Sequence, residues 1–170
     1  ERPVYMAISV GTENHLCFGD NFSQEGLAYR ITPFNTAKLG GRIDSEKMYD
    51  NIMHKFKWGG IDNPKVYLDE NVMRMCYSHR RLFAQLAAQL VKEGKKDKAL
   101  NLLEYGMKSI PTNCVPHDYQ SGSMDMAKAY FALGQKQKAE QILKELADKS
   151  YQYARWYLSL NDAKLATSNQ

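Results

Sequence analysis

The longest regular pattern in the chain runs over residues 69–93. Val72, Met75, Cys76, Phe83, Leu86, Ala87 and Leu90 recur at helical spacing, and no proline or glycine interrupts them. Asp69 is placed to cap this helix and Gly94 to end it. A return helix is predicted over 97–109, with Ala99, Leu102, Leu103, Gly106 and Met107 facing inward and Pro111 closing the unit. The same alternation recurs in a second pair, near 121–133 and 135–148, with Gly134 at the turn. A last helix is expected near 151–160, where Tyr153, Trp156, Tyr157 and Leu160 share a face. Further upstream, Asp44 or Ser45 caps a helix to about Lys57, whose apolar face is Met48, Tyr49, Ile52, Met53 and Phe56. Gly59-Gly60 stops it, and residues 61–68 form a connector broken by Pro64.

The first 35 residues follow a different rule. Residues 4–10 (VYMAISV) and 27–32 (LAYRIT) are β-rich runs closed by Gly11 and Pro33. The 16 residues between them have room for a short helix around Asn21–Glu25, so a right-handed β-α-β crossover is expected rather than a hairpin. Two parallel strands alone are poorly covered, which points to the edge of a larger α/β region. Gly40-Gly41 marks a loop over residues 36–42.

The two helix pairs align with each other at a spacing of forty residues. Placing Ala99 on Ala139 also places Gly94 on Gly134, Ala87 on Ala127, Leu90 on Tyr130 and Leu103 on Leu143. Small residues at these positions let helices cross closely, and glycine past the first helix accepts a left-handed turn. This is the tetratricopeptide-repeat pattern, matched well by residues 80–111 and less well by 120–151, where Leu146, Tyr151 and Ser123 depart from it. Two pairs are fewer than the ~3 repeats that bury a continuous core. The helix at 45–57 is expected to cap one end of the stack and the aromatic helix with Trp156 the other.

The fold expected is therefore mainly α: a tetratricopeptide-like helical repeat (α-α superhelix) with a small N-terminal β-α-β segment. Its parts are a small α/β segment (1–35), a capping helix and connector (36–68), the helix pairs with a C-terminal cap (69–160) and a flexible tail (161–170).

Composition changes this picture little. With 44% hydrophobic and 25% charged residues the chain has ordinary globular composition. No apolar run reaches the ~20 residues that span a bilayer. No signal peptide is visible, and a chain starting at Glu1 reads as a piece of something longer. Net charge is +4, the excess of Lys/Arg lying after residue 75 as helix-face lysines such as Lys92, Lys95, Lys96 and Lys98. That is a solvated helical surface; no arginine stripe interleaved with aromatics points to nucleic acid. Three separated cysteines, Cys17, Cys76 and Cys114, make no disulfide framework.

Several stretches outside the repeats carry a resemblance: GLAYRITP (26–33), GRIDSEKMYDNIMHKFKWGG (41–60), VYLDENVMRM (66–75) and GKKDKAL (94–100). In this order they resemble the C-terminal soluble end of a bacterial family of multispanning membrane proteins. That family is similar in its membrane half to protein O-mannosyltransferases, which use lipid-linked sugars. The resemblance implies an extramembrane domain on the periplasmic face of an inner-membrane protein. The acidic catalytic residues it implies belong to the membrane half, so none is carried over here.

Chemistry is sparse. Cys114-x-x-His117 followed by Asp118 is the tightest group of ligand types, but zinc wants four ligands and His15, His54 and His79 add no matching spacing. Residues 11–15 follow a strand without a phosphate-cradling glycine pattern. Asp44, Glu46 and Asp50 fit a helix N-terminus. Tyr49, Trp58, Tyr67 and Tyr77 are the aromatic candidates for a sugar site, with core packing the plainer account. No catalytic residue, metal or cofactor is assigned.

The function expected is a noncatalytic interaction domain that docks a protein or peptide partner, or the parent's own membrane half. The alternatives are an accessory domain of a membrane glycosyltransferase that helps hold acceptor or lipid-linked sugar, and a small-molecule site beside Val10. For the first, the repeat pattern places a partner-binding groove on Arg81, Ala84, Ala88, Lys92, Met124, Lys128 and Phe131. Its cations suit an acidic segment, and Phe131 and Met124 supply apolar anchors.

Overall fold

The computed structural model describes residues 2–38, 42–161 and 164. The loop glycines Gly40-Gly41 and most of the expected 161–170 tail lie outside them. The fold is mainly helical, with a small antiparallel sheet at the N-terminus.

The sheet corrects the β-α-β expectation. Strands β1 (Tyr5–Ala7), β2 (Phe22–Gln24) and β3 (Ala28–Ile31) lie in the order β1-β3-β2, and both pairings are antiparallel. The segment expected as a helix near Asn21–Glu25 is strand β2. It turns into β3 through Gly26-Leu27, with Gly26 at φ 136 and the Glu25 N–H donating to the Ala28 carbonyl. This two-residue turn makes β2 and β3 a hairpin, and β1 lies antiparallel on the other edge of β3, with Tyr5 opposite Arg30 and Ala7 opposite Ala28, in place of the parallel pair expected. Residues 12–21 form two 3-10 turns instead of a crossover helix. They bring His15 edge-on to Phe22, itself stacked on Tyr29 at 5.1 Å. The backbone at Arg42 and Asp44 bonds to Gln24 and covers the outer edge of β2.

Asp44 then caps α1 (Ser45–Asp50), accepting from the Lys47 N–H as expected. The helix widens into a π turn over Asn51–Lys55 and buries Met48 and Ile52. The sheet is pinned to α1 by Glu25. Its buried carboxylate takes Lys47 Nζ at 2.8 Å and the Tyr5 hydroxyl at 2.8 Å. In the same first turn α1 meets the next hairpin through Glu46, which pairs with Lys95 and Lys98.

Four helices build the core: α2 (Glu70–Lys92), α3 (Lys96–Ser109), α4 (Ser123–Ala132) and α5 (Lys136–Leu158). Asp69 caps α2 through the Val72 N–H. The two helical hairpins repeat one turn geometry at the forty-residue spacing. Gly94 and Gly134 sit at φ 76 and 77, and the N–H after each donates to the carbonyl of Leu90 or Tyr130 at 2.9 Å. Ala87, Ala99, Ala127 and Ala139 are all buried where the helices cross. Gly106 completes the first crossing, lying directly under the Phe83 ring.

Two further expectations change. Val72 and Met75 belong to the predicted stripe of α2, yet both are exposed, because the first turns of α2 run past the helices that bury its second half. Residues 151–158 form no separate helix but the second half of α5. No proline or glycine lies within Lys136–Leu158, and Ser150 bonds back to the Leu146 carbonyl, so α5 continues unbroken.

Candidate functional site

Helix length creates the main concavity. The 23 residues of α2 and of α5 each span about 35 Å, whereas the 10 of α4 span about 15 Å. α4 begins against the backbone of Arg81, so the first half of α2 has no neighbour from α4. The second half of α5 returns to the same level. Between these overhangs lies a cleft of about 550 Å³ lined by Met73, Tyr77, Asp118, Tyr119, Tyr153 and Tyr157.

Its floor is the Asp118–Ser121 turn. The buried Asp118 carboxylate accepts from the Gln120 N–H at 3.0 Å and from the Tyr153 hydroxyl at 3.2 Å. Burial, and then the Asp118 charge, raises the pKa of both Tyr77 and Tyr153. Both phenols therefore stay protonated and able to donate. Asp69 and Glu70 stand on the rim, Glu70 paired with Arg74. The cleft is thus aromatic and acidic, opposite in charge to the groove read from the repeat pattern.

The residues of that groove lie on two packed helices, α2 and α4. Arg81 is exposed and donates to Ser78 Oγ. Ala84 is 1% exposed, sealed in the core, and is not available to a partner. Ala88 and Lys92 are exposed on the second half of α2. Met124, Lys128 and Phe131 are exposed on α4, with Lys128 paired to Asp125 at 3.1 Å.

The aromatic sugar candidates do not form one site. Trp58 stacks on Phe83 and donates to the Tyr105 hydroxyl, and Tyr49 packs on the core beneath Lys98. Tyr67 is exposed, and of the four only Tyr77 lines the cleft. Cys114 and His117 lie in the loop between hairpins, where His117 Nδ1 bonds to Ser123 Oγ.

The expected C-terminal cap is also absent from its place. Every residue from Tyr151 to Leu158 is exposed, Trp156 at 49% and Leu158 at 88%. Their spacing signalled a buried face; the missing signal was the helix breaker that a folded-back cap needs.

A family model described as TMEM260-associated domain 2 matches residues 1–47, the sheet and the start of α1. No curated protein and no solved structure matches the chain. No helix among the described residues is long and apolar enough to cross a membrane.

Proposed function

We propose that this chain is a noncatalytic, extramembrane interaction domain of a larger membrane protein. It docks a protein partner or the parent's own membrane half. The observation that carries this reading is the exposed aromatic half of α5, from Tyr151 to Leu158, standing beside the cleft. Aromatic side chains on a rigid helix are strong anchors and costly to leave in water. Asp69, Glu70 and Asp118 outnumber the one cation of the lining, Arg74, so the cleft favours a segment that carries lysine or arginine among its apolar residues. In the same reading the two hairpins are tetratricopeptide-like repeats, supported by their repeated turns and buried alanines. The match to a TMEM260-associated domain supports a membrane parent, and in this reading, as the resemblance implies, the domain lies on its periplasmic face.

Site-specific photo-crosslinking in the full-length parent tests this. A photoreactive residue at Tyr157 is expected to give a defined adduct in native membranes, to a partner or within the parent. One at Lys92 reports on the basic α2/α4 face instead, with Lys128→Glu in the same chain as its control. No adduct from either position would refute the docking reading.

A second reading has its own support: four tyrosines and a buried carboxylate around one cleft also suit a sugar, whose faces stack on rings and whose hydroxyls bond to acids. In that case the domain is an accessory part of a membrane glycosyltransferase, holding acceptor or lipid-linked sugar. Saturable shifts of Tyr77 and Tyr153 ring resonances with methyl glycosides, absent with a basic peptide, decide for it.

A further inference from the structure

A second hollow lies between α3 and α5, with a volume of about 250 Å³. His117 forms its floor. The side chain is 1% exposed, and its Nε2 is a buried polar atom without a hydrogen-bond partner among the described residues. The chain around it fixes what that nitrogen offers. Ser121 Oγ donates to the Asp118 carbonyl at 2.7 Å and accepts from the Asp118 N–H at 3.0 Å. Its single hydrogen is then used, so the Ser123 hydroxyl donates to Ser121. Ser123 Oγ in turn accepts from His117 Nδ1–H across 2.6 Å. Every hydrogen of the relay is used in this arrangement, and Nε2 is left with a bare lone pair.

A second acceptor faces it. Glu145 Oε2 stands 3.8 Å from Nε2, while the other carboxylate oxygen accepts from Gln141. Lys138 is held by Glu104 on the far wall, so the Glu145 charge has no Lys or Arg partner among the described residues. Met107, Ile142 and the Tyr130 ring supply apolar walls.

We propose that this hollow binds a small organic ammonium group. Its N–H donors bond to His117 Nε2 and Glu145, and its apolar stem lies along Met107, Ile142 and Tyr130. Two acceptors 3.8 Å apart suit a ligand with more than one N–H, and a carboxylate without a Lys or Arg ion pair among the described residues favours a cation. Burial, together with the nearby Arg80 charge, holds His117 down to about 4, so the ring remains a neutral acceptor at ordinary pH. The site is separate from the tyrosine cleft and stands whether or not that cleft docks a partner.

The test is titration of the chain at neutral pH with n-butylammonium, followed by the ¹⁵N resonance of His117 Nε2. Butyrate and n-butanol serve as comparison ligands. The expected result is a saturable Nε2 shift with butylammonium, little response to butanol and none to butyrate. Glu145→Gln keeps the relay and its Gln141 contact, and is expected to weaken binding about tenfold. Three results overturn the proposal: no saturable shift, as when the hollow holds water only; stronger binding of butyrate, as when Nε2 carries the proton; or unchanged affinity in Glu145→Gln.

Discussion

Arg80 Nη2 donates to the Val115 carbonyl across 2.6 Å, joining α2 to the loop between the hairpins. The same guanidinium reaches the Ile110 and Pro116 carbonyls, at 3.2 and 3.0 Å. It is buried, makes no salt bridge among the described residues, and its pKa is lowered to about 10 by burial. A charged fork that spans three carbonyls cannot be replaced by a lysine, whose donors sit on one atom. Arg80→Met keeps the volume but leaves these carbonyls unpaired. We expect a loss of about 2–4 kcal/mol in urea unfolding. An unchanged midpoint would mean that helix packing alone holds the loop.

Gly106 sets the distance between α2 and α3. A Cβ there would stand 2.8 Å from Phe83 Cγ. Alanine favours a helix interior by ~1 kcal/mol over glycine. Here the clash wins, because the Phe83 ring cannot swing away: Trp58 stacks on it at 5.7 Å, with Tyr105 alongside. Gly106→Ala is expected to lower stability by ~1–3 kcal/mol. A gain in melting temperature would show that the aromatic cluster yields.

Much of this architecture was legible because it rests on local signals. Asp44 and Asp69 as caps, Gly94 and Gly134 as turns, and the buried alanines all follow from spacing and from what each residue alone can do. The errors fall where a non-local partner decides. Residues 21–25 have no strong preference of their own; the Gly26-Leu27 turn makes them a strand by pairing Phe22 with Ile31. Val72 and Met75 have helical spacing, but spacing cannot tell that α4 starts only at Ser123 and leaves the first half of α2 uncovered. The cleft is a difference between helix lengths, so no single segment announces it. His117 stood out only for its nearness to Cys114, while its partner Ser123 is six residues on and its facing acid, Glu145, lies on α5.

His117 predicts an acid limb in stability. Its pKa is about 4 in the folded chain against 6.5 in the unfolded one, so between those values the unfolded chain binds more protons. Stability is therefore full above pH 6.5, falls as pH drops toward 4, and loses about 3 kcal/mol over that window. His117→Gln is expected to flatten this segment in urea midpoints taken from pH 4 to 7. Glu46, lowered to about 2 by its bonds to Lys95 and Lys98, acts below pH 4.5, so the His117 slope is read between pH 4.5 and 6.5. A slope that survives in His117→Gln assigns it to another group.

Ala139 is fully buried at the crossing of the second hairpin, in the place that Ala99 holds in the first. Leucine at this position adds three carbons where the helices leave no space. Ala139→Leu is expected to destabilise by ~1–3 kcal/mol. A thermal melt equal to that of the unchanged chain would remove the equivalence of the two hairpins.

The aromatic half of α5 yields the sharpest contrast, because the chain has two tryptophans in opposite settings. Trp58 is held by the Phe83 stack and by its 2.9 Å bond to Tyr105. Trp156 touches Tyr157 edge-on and is otherwise half in water. If α5 ended in a packed cap, Trp156→Ala would cost the ~3–5 kcal/mol of a buried tryptophan. With its face open, the loss is expected to stay within ~0.5 kcal/mol. Trp58→Ala in the same assay is expected to lose several times more, as the packed reference. Fluorescence adds an independent measure: in a Trp58→Phe background the remaining emission, from Trp156, is expected at the wavelength of a water-exposed indole and to be quenched by iodide. Addition of whatever docks on this face then shifts it to the blue and shields it, with no change in the helix content of the chain. A blue, unquenched Trp156 in the isolated chain would mean that the face is already covered, and the docking surface would have to be sought on α2 and α4 instead.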